Sequence, residues 1–372
     1  MNICIVTEYF PQSKDLEIKG GVEVCAFNEA SELSKYNNIT VITSKETDKD
    51  DFYIDDIHII CCGSKRGYTQ KGSFIKRLDF MYQAYKKLLT LDDIDMIIGY
   101  NFITYPVAWK ASRKLDTKIA ARYHDVWIGR WIDTIGITGI FGEVMERYFL
   151  RQDVDLILPV SDYTKDNLKK YVDERKLKTV HNIVDFPIVK SDPYDAPTIS
   201  CVARLVEYKR VEDLIRAVAI IKDTIPNIQC KIIGTGPQDS YLKDLTQKLE
   251  LTGNIEFLGF VEKHDDVMCV VNSSDVFVLP SIVEGFGIVI VEALSLRTPF
   301  VAAEIPPVVE ASGRKGGLFY EPKNYKQLAE CILKLLSDKE LYNKLQDEGY
   351  IQSKNYSKKA IGLKLNEIFN NL

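Results

Sequence analysis

The stretch Thr198-Ile199-Ser200-Cys201-Val202-Ala203-Arg204-Leu205-Val206-Glu207-Tyr208-Lys209-Arg210 runs from a short apolar segment into a charged loop. Val211, Leu214, Ile215, Val218 and Ile221 follow at helical spacing. This reads as strand, loop and amphipathic helix, the repeating half of a βαβ unit. The same alternation continues with strands near Gln229–Ile233, Ile255–Phe257, Val276–Leu279 and Phe300–Ala302. It also precedes the stretch, with strands near Asn2–Thr7, Ile39–Thr43, Ile57–Cys61, Met96–Gly99, Lys118–Arg122 and Leu156–Pro159. Helices fall between them, for example Val22–Lys35 and Phe74–Leu89. Such alternation implies parallel sheets covered by helices on both faces.

The segment from Lys190 to Pro197 is polar with two prolines, as a linker should be. The 372 residues are ample for two cores. The expected fold is therefore α/β, with two Rossmann-like doubly wound domains facing across a cleft. The first spans residues 1–188, a linker 189–197, and the second 198–355. A closing helix reads over 356–372.

Composition narrows the class. With 46% hydrophobic and 27% charged residues the chain is an ordinary globular protein. A net charge of −5 gives no reason to expect nucleic acid. Eight cysteines, with no Cys-x2-Cys spacing and mostly in apolar segments, read as reduced thiols in a cytoplasmic protein. The first strand is not followed by Gly-x-Gly-x-x-Gly, nor does the chain contain Gly-x4-Gly-Lys-Ser/Thr, which disfavours a nicotinamide enzyme and a P-loop NTPase. Gly313-Arg314-Lys315-Gly316-Gly317 reads as a tight turn before a strand at Leu318.

Two constellations carry chemistry. Arg204 stands at the carboxyl end of a strand and Lys209 on the loop beyond it, the edge where open α/β sheets bind ligands. Arg grips a diphosphate bidentately and Lys adds a point charge; read alone, the two equally suit a solvated surface pair. The second constellation is Pro280-Ser281-Ile282-Val283-Glu284-Gly285-Phe286-Gly287-Ile288-Val289-Ile290-Val291-Glu292-Ala293-Leu294. Glu292 sits in a nearly unbroken apolar run with no Lys or Arg within four residues. A carboxylate there needs a hydrogen-bonding partner. Solvent, a helix start, or the hydroxyls of a ligand would each serve. Gly285 and Gly287 let backbone amides approach a ligand at a helix start.

Taken in order, Arg204 with Lys209, Ile233-Gly234-Thr235-Gly236-Pro237, and Glu284-x7-Glu292 resemble the family-4 retaining glycosyltransferases of the GT-B fold. Lys19-Gly20-Gly21-Val22-Glu23 resembles that family's glycine loop, and Arg122-Tyr123-His124-Asp125-Val126-Trp127 its His-Asp segment. His181-Asn182-Ile183-Val184-Asp185 resembles its Asn-Gly-Val-Asp junction. The resemblance implies a nucleoside diphosphate sugar donor, of UDP or GDP type, and retention of configuration. It implies no metal and no further cofactor. Asp93-Ile94-Asp95 has the spacing of a metal-bridging motif but precedes its strand instead of following it.

By resemblance, Arg204 and Lys209 neutralise the leaving diphosphate, helped by amides at Gly20, Gly21, Phe286, Gly287 and Ile288. Glu292 holds ribose hydroxyls, Glu284 orients the sugar, and His124 contacts that sugar. Gly234, Gly236 and Pro237 lie near the base, as Phe260-Val261-Glu262 would. The closing helix would cross back to the first domain. Three departures stand out: Arg297 and Ile183 where the family usually has Gly, and Pro306-Pro307 in place of Gly-Gly, which stiffens a loop near the sugar pocket. A sugar-nucleotide epimerase and a catalytically silent scaffold subunit are the alternatives on the same architecture.

The acceptor is expected to be a carbohydrate or lipid-linked molecule, met at an anionic membrane surface by a peripherally bound enzyme. Between Lys65 and Lys87 stand Lys65, Arg66, Lys71, Lys76, Arg77, Lys86 and Lys87 against one acid, Asp79. Phe74, Leu78, Met81, Tyr85 and Leu88 form an apolar stripe through the same segment. Trp127, Trp131, Ile135, Ile137, Ile140 and Phe141 form a second candidate surface. Ordinary core faces are the alternative for both.

Overall fold

The computed structural model describes residues 1–13, 21–66, 74–186, 189 and 191–372. The chain divides into two compact units. Unit 1 comprises Met1–Ile183 with Lys358–Leu372, and unit 2 comprises Val184–Ser357.

Unit 1 holds β1 (Asn2–Val6), β2 (Asn38–Ser44), β3 (Asp51–Ile54), β4 (Ile57–Cys62), β5 (Met96–Gly99), β6 (Lys118–Tyr123) and β7 (Leu156–Pro159). Their order in the sheet is β3-β4-β2-β1-β5-β6-β7, parallel throughout except for the β3–β4 hairpin. Strands buried on both faces read as continuous apolar runs, which is why these were legible. β3 was not expected. It is an antiparallel edge strand with alternating exposure, and its Asp51-Phe52-Tyr53-Ile54 carries too little apolar signal to stand out.

Unit 2 holds β8 (Thr198–Val202), β9 (Gln229–Ile233), β10 (Ile255–Gly259), β11 (Val276–Leu279), β12 (Phe300–Ala303) and β13 (Gly317–Tyr320). All are parallel in the order β10-β9-β8-β11-β12-β13, the doubly wound arrangement. Strand order reverses between β8 and β11, so the loops leaving those two strands flank the switch point. Both units are thus Rossmann-like α/β domains.

The closing helix, Lys358–Asn370, packs Ile361, Leu365 and Phe369 into the core of unit 1. All eight cysteines are free thiols. Burial pushes Cys61 and Cys201 up to about 12, so they are inert at neutral pH.

Unit 1 is organised around a fully buried ion pair. Arg122, in β6, donates from Nε to Glu29 Oε1 at 2.8 Å. Its Nη1 donates to the Leu158 and Val180 carbonyls, and its Nη2 to the His181 carbonyl and Asn182 Oδ1. Tyr100, just after β5, donates its hydroxyl to the other oxygen of Glu29. Arg122 and Glu29 together thereby tie the helix Gly21–Leu33, the ends of β5 to β7 and the segment leading out of the unit.

Glu29→Leu strands a guanidinium in the core. Breaking a buried pair by removing one partner costs about 3–5 kcal/mol. Adding Arg122→Met to that variant should recover only part, because the carbonyls of Leu158 and Val180 then lose their donor. All three tryptophans, Trp109, Trp127 and Trp131, lie in unit 1. Denaturant unfolding followed by tryptophan fluorescence reads this unit alone. An unchanged midpoint in Glu29→Leu would contradict the assignment.

Candidate active site

In unit 2, β8 releases the chain into Ala203-Arg204-Leu205 and then a single turn of 3-10 helix, Glu207–Lys209. Arg210 follows with φ of 52°, a left-handed conformation unusual for a residue with a side chain. It is held there by Asp213, which accepts from both Arg210 Nε at 2.9 Å and Nη2 at 2.8 Å. That clamp fixes the loop ahead of the helix Val211–Thr224. The next loop, after β11, is stitched to it by Ile282 N–H donating to the Tyr208 carbonyl at 2.9 Å. Lys209 and Glu284 are thereby brought together, Nζ to Oε1 at 2.6 Å, each side chain less than a fifth exposed. Arg204 is exposed, and its guanidinium makes no ion pair or hydrogen bond among the described residues.

Glu292 is buried on the helix Ile288–Ser295, as its apolar surroundings demand. Its partner was not legible in the sequence. His264, the first residue of the helix His264–Ser273, brings Nε2 to 2.9 Å from Glu292 Oε1. Burial would lower the imidazole's pKa, but the Glu292 carboxylate outweighs it and the net shift is upward. The Phe186 and His264 rings pack nearly perpendicular, their centroids 5.2 Å apart.

Gly287 caps the helix Ile288–Ser295 with φ of 93°, which only glycine adopts readily. The first amides of a helix have no partner within it, so this end offers donors for an anion. Phe286 turns its ring inward against Tyr356 at 5.2 Å, so only its backbone is available to a ligand. Gly234 and Gly236 are required by close packing. A Cβ on either would lie 2.0 Å from the Ala203 carbonyl oxygen or 2.2 Å from that of Leu205. The Gly234 N–H is already given to the Gly259 carbonyl at 2.7 Å. Pro237 follows directly, where the chain turns into the helix Asp239–Lys248. Pro306 and Pro307 do not stiffen a loop. They form the first turn of the helix Pro306–Ser312, where a missing N–H costs nothing.

In unit 1, His124 follows β6 directly. Its Nε2 is buried without a hydrogen bond, and burial pushes its pKa down to about 3, with the Arg122 charge adding to the effect. The imidazole is therefore neutral at physiological pH. The loop after it is organised by Glu146, which accepts from Tyr123 Oη at 2.6 Å, Trp131 Nε1 at 2.6 Å and Trp127 N–H at 3.2 Å. Burial raises the Glu146 pKa, and those three donors oppose the rise. Glu29 and Glu146 escaped sequence reasoning because each sits in a helix far from what it holds. Gly21 opens the helix Gly21–Leu33, and Gly20 lies outside the described residues.

The expected surface features are redistributed. Lys71 lies outside the described residues. Arg66 is buried beside Glu8, Arg77 donates to Glu8 at 2.8 Å, and Lys65 pairs with Asp48. Leu88 is in the core, Met81 and Tyr85 lean on it, and Trp131 is buried. Helical turns carry these positions round to the sheet, so neither stripe is exposed as read. What is exposed is Phe74, Ile75, Leu78 and Tyr82 on one helix, with Ile137, Ile140, Phe141 and Val144 from the other segment. The Phe74 and Phe141 rings meet at 4.9 Å, so the two candidate surfaces are one. No helix among the described residues is long and apolar enough to cross a membrane.

Comparison with known proteins identifies the family and the fold. Residues 19–186 match the Glycosyltransferase Family 4 model, and residues 187–352 match the model for Glycosyl transferases group 1. An uncharacterized glycosyltransferase of Haemophilus influenzae is 23% identical over 347 residues, 91% of this chain and 92% of the relative. A GDP-mannose-dependent monoacylated alpha-(1-6)-phosphatidylinositol monomannoside mannosyltransferase of Corynebacterium glutamicum is 31% identical over 149 residues, 38% of each chain. Among solved structures, Anabaena HepE in complex with UDP-glucose superposes with a TM-score of 0.78 at 18% identity, covering 100% of both chains. With both halves so matched, the chain is a glycosyltransferase of the group 1 type on the GT-B fold, an enzyme of the hexosyltransferase class.

Proposed function

We propose that the chain transfers a sugar from a nucleoside diphosphate sugar to an acceptor hydroxyl, with retention of configuration and without a metal. The observation that carries this is the convergence in unit 2 of Arg204, Lys209 and Glu284 on two stitched loops at the sheet's switch point, with Glu292 on the helix beyond. The bond from the sugar's anomeric carbon to the diphosphate breaks, and the acceptor oxygen takes its place. The acceptor proton passes to the departing diphosphate. Charge grows on that diphosphate in the transition state. Arg204, exposed and uncommitted, and Lys209 are the fixed cations that would meet it. Donors aimed at developing charge typically contribute about 10²–10³ in rate.

Glu284 orients the transferred sugar and Glu292 the ribose, with amides at the Gly287 cap adding to the anion site. His124, neutral and with a buried Nε2 lacking a partner, is suited to accept from or donate to a sugar hydroxyl. A scaffold role would tolerate loss of these groups, yet all of them are kept. UDP and GDP both remain open for the base, as the HepE complex and the mannosyltransferase illustrate.

Arg204→Ala and Lys209→Ala should each lower kcat/KM for the donor by on the order of ten- to a hundredfold, since a charge-assisted hydrogen bond is worth about 1.5–3 kcal/mol. Release of nucleotide from a panel of UDP-, GDP- and ADP-sugars measures this. Arg204→Ala should leave the melting temperature unchanged. Wild-type turnover in both variants would sink the proposal, and an isomerised sugar nucleotide as the product would favour an epimerase.

The acceptor, on the same reading, is lipid-linked and met at a membrane surface. The joined apolar patch of unit 1 supports this, with Lys76, Lys86 and Lys87 on the same helix as Phe74. Exposed apolar groups of this number on one face usually mark an interaction surface. Vesicles containing phosphatidylglycerol should sediment the enzyme at low salt. Ile75→Ser with Phe141→Ser should weaken that binding at least about tenfold, since burying each such side chain contributes about 1.5–3 kcal/mol. Indifference of the wild-type enzyme to anionic vesicles, with efficient transfer to a soluble acceptor, would refute it.

A further inference from the structure

We infer that His264 is a positioning residue that sets ribose recognition by holding one oxygen of Glu292. This rests on the donor reading above and adds to it a residue outside the motifs that suggested that reading. The contact joins two well-anchored elements. Met268 and Val271, on the helix His264–Ser273, share a core cluster with Ile290, Ala293 and Leu294 on the helix Ile288–Ser295. The imidazole also packs nearly perpendicular to the Phe186 ring. A glutamate has three rotatable side-chain bonds, and an unheld carboxylate spreads over several rotamers. With Oε1 engaged at 2.9 Å, the carboxylate is locked and Oε2 is presented in one orientation. Paired hydroxyls on adjacent ribose carbons demand that kind of preorganisation.

The charges acting on the imidazole are Glu292 from the facing helix and Asp265 beside it; Phe186 contributes only an apolar ring. Both acids favour the protonated ring. The clamp is therefore strongest below the raised pKa of His264. It weakens as pH rises through that value, above the ordinary histidine range of about 6.5. Neutral His264 keeps one N–H for Glu292 but loses the charge assistance.

The test compares the tightest binder among UDP, GDP and ADP with its 2′,3′-dideoxy counterpart by calorimetry. The ratio of the two affinities reads ribose recognition alone. His264→Ala should reduce that ratio about tenfold, the size expected for a lost charge-assisted hydrogen bond. His264→Gln, which places an amide N–H near the position of Nε2, should restore most of it and abolish its pH dependence. In the wild type the ratio should fall as pH rises through the raised pKa of His264. Should His264→Ala prove too unstable to assay, the flat pH profile of His264→Gln still decides the matter. A wild-type ratio in His264→Ala, or a wild-type pH profile in His264→Gln, overturns the role of His264 if Glu292→Gln loses the discrimination. Retained discrimination in Glu292→Gln, or no binding of any of the three nucleotides, overturns the donor reading itself.

Discussion

A carboxylate withdrawn from water must be matched by a donor, and this constraint shapes both halves of the molecule. Parallel sheets put their apolar strands in the middle and gather polar side chains at the strand ends. Each acid drawn in there acquires a partner from a distant segment. Glu29 takes Arg122, 93 residues away, and Glu284 takes Lys209 across 75 residues. Glu292 takes His264 across 28. Among the described residues Glu146 takes no cation and is satisfied by three neutral donors instead. The loops that these pairs tie down are the ones carrying the candidate chemistry. Leaving any of these acids unmatched would cost several kcal/mol, which holds each pair together.

The two buried networks of unit 1 lie directly beside the candidate residue His124. Arg122 precedes His124 by two positions, so the side chain that closes the core also sets where the imidazole emerges. Glu146 then fixes the next turns through Trp127 and Trp131. Trp127 lies in that loop and Trp131 opens the short helix Trp131–Ile135; Trp131 is buried and Trp127 is partly buried, so neither offers the exposed face a membrane anchor needs. Exposure passes instead to Ile137, Ile140 and Phe141, beyond the point where Glu146 has hold of the chain.

The parallel strands were legible because burial on both faces writes a continuous apolar run into the sequence. β3 was not, since an edge strand of Asp51-Phe52-Tyr53-Ile54 needs only half of that signal. The candidate residues Arg204, Lys209, Glu284 and Glu292 stood out because charge at a strand end, or within an apolar helix, calls for an explanation. What they pair with was hidden. His264 opens a helix beside two aspartates, and nothing in Glu262-Lys263-His264-Asp265-Asp266 marks it as anything other than a helix start. Pairing across sheet loops depends on topology, and local periodicity carries no trace of it. The same holds for Arg66, which looked like a surface cation and is buried against Glu8.

The Lys209–Glu284 pair gives the proposed reaction an internal economy of charge. Without donor, the two neutralise each other across 2.6 Å in a setting less than a fifth exposed. A diphosphate arriving beside Arg204 would compete with Glu284 for the ammonium group. As Lys209 turns toward phosphate, Glu284 is left an acceptor without its cation, and sugar hydroxyls are the groups at hand to satisfy it. Phosphate binding and sugar orientation are then one coupled event. A nucleoside diphosphate lacking the sugar would draw Lys209 away and leave Glu284 unsatisfied. The complete donor satisfies both groups at once. On the proposed reading, discrimination in favour of the intact donor would follow from the need to keep a largely buried carboxylate matched.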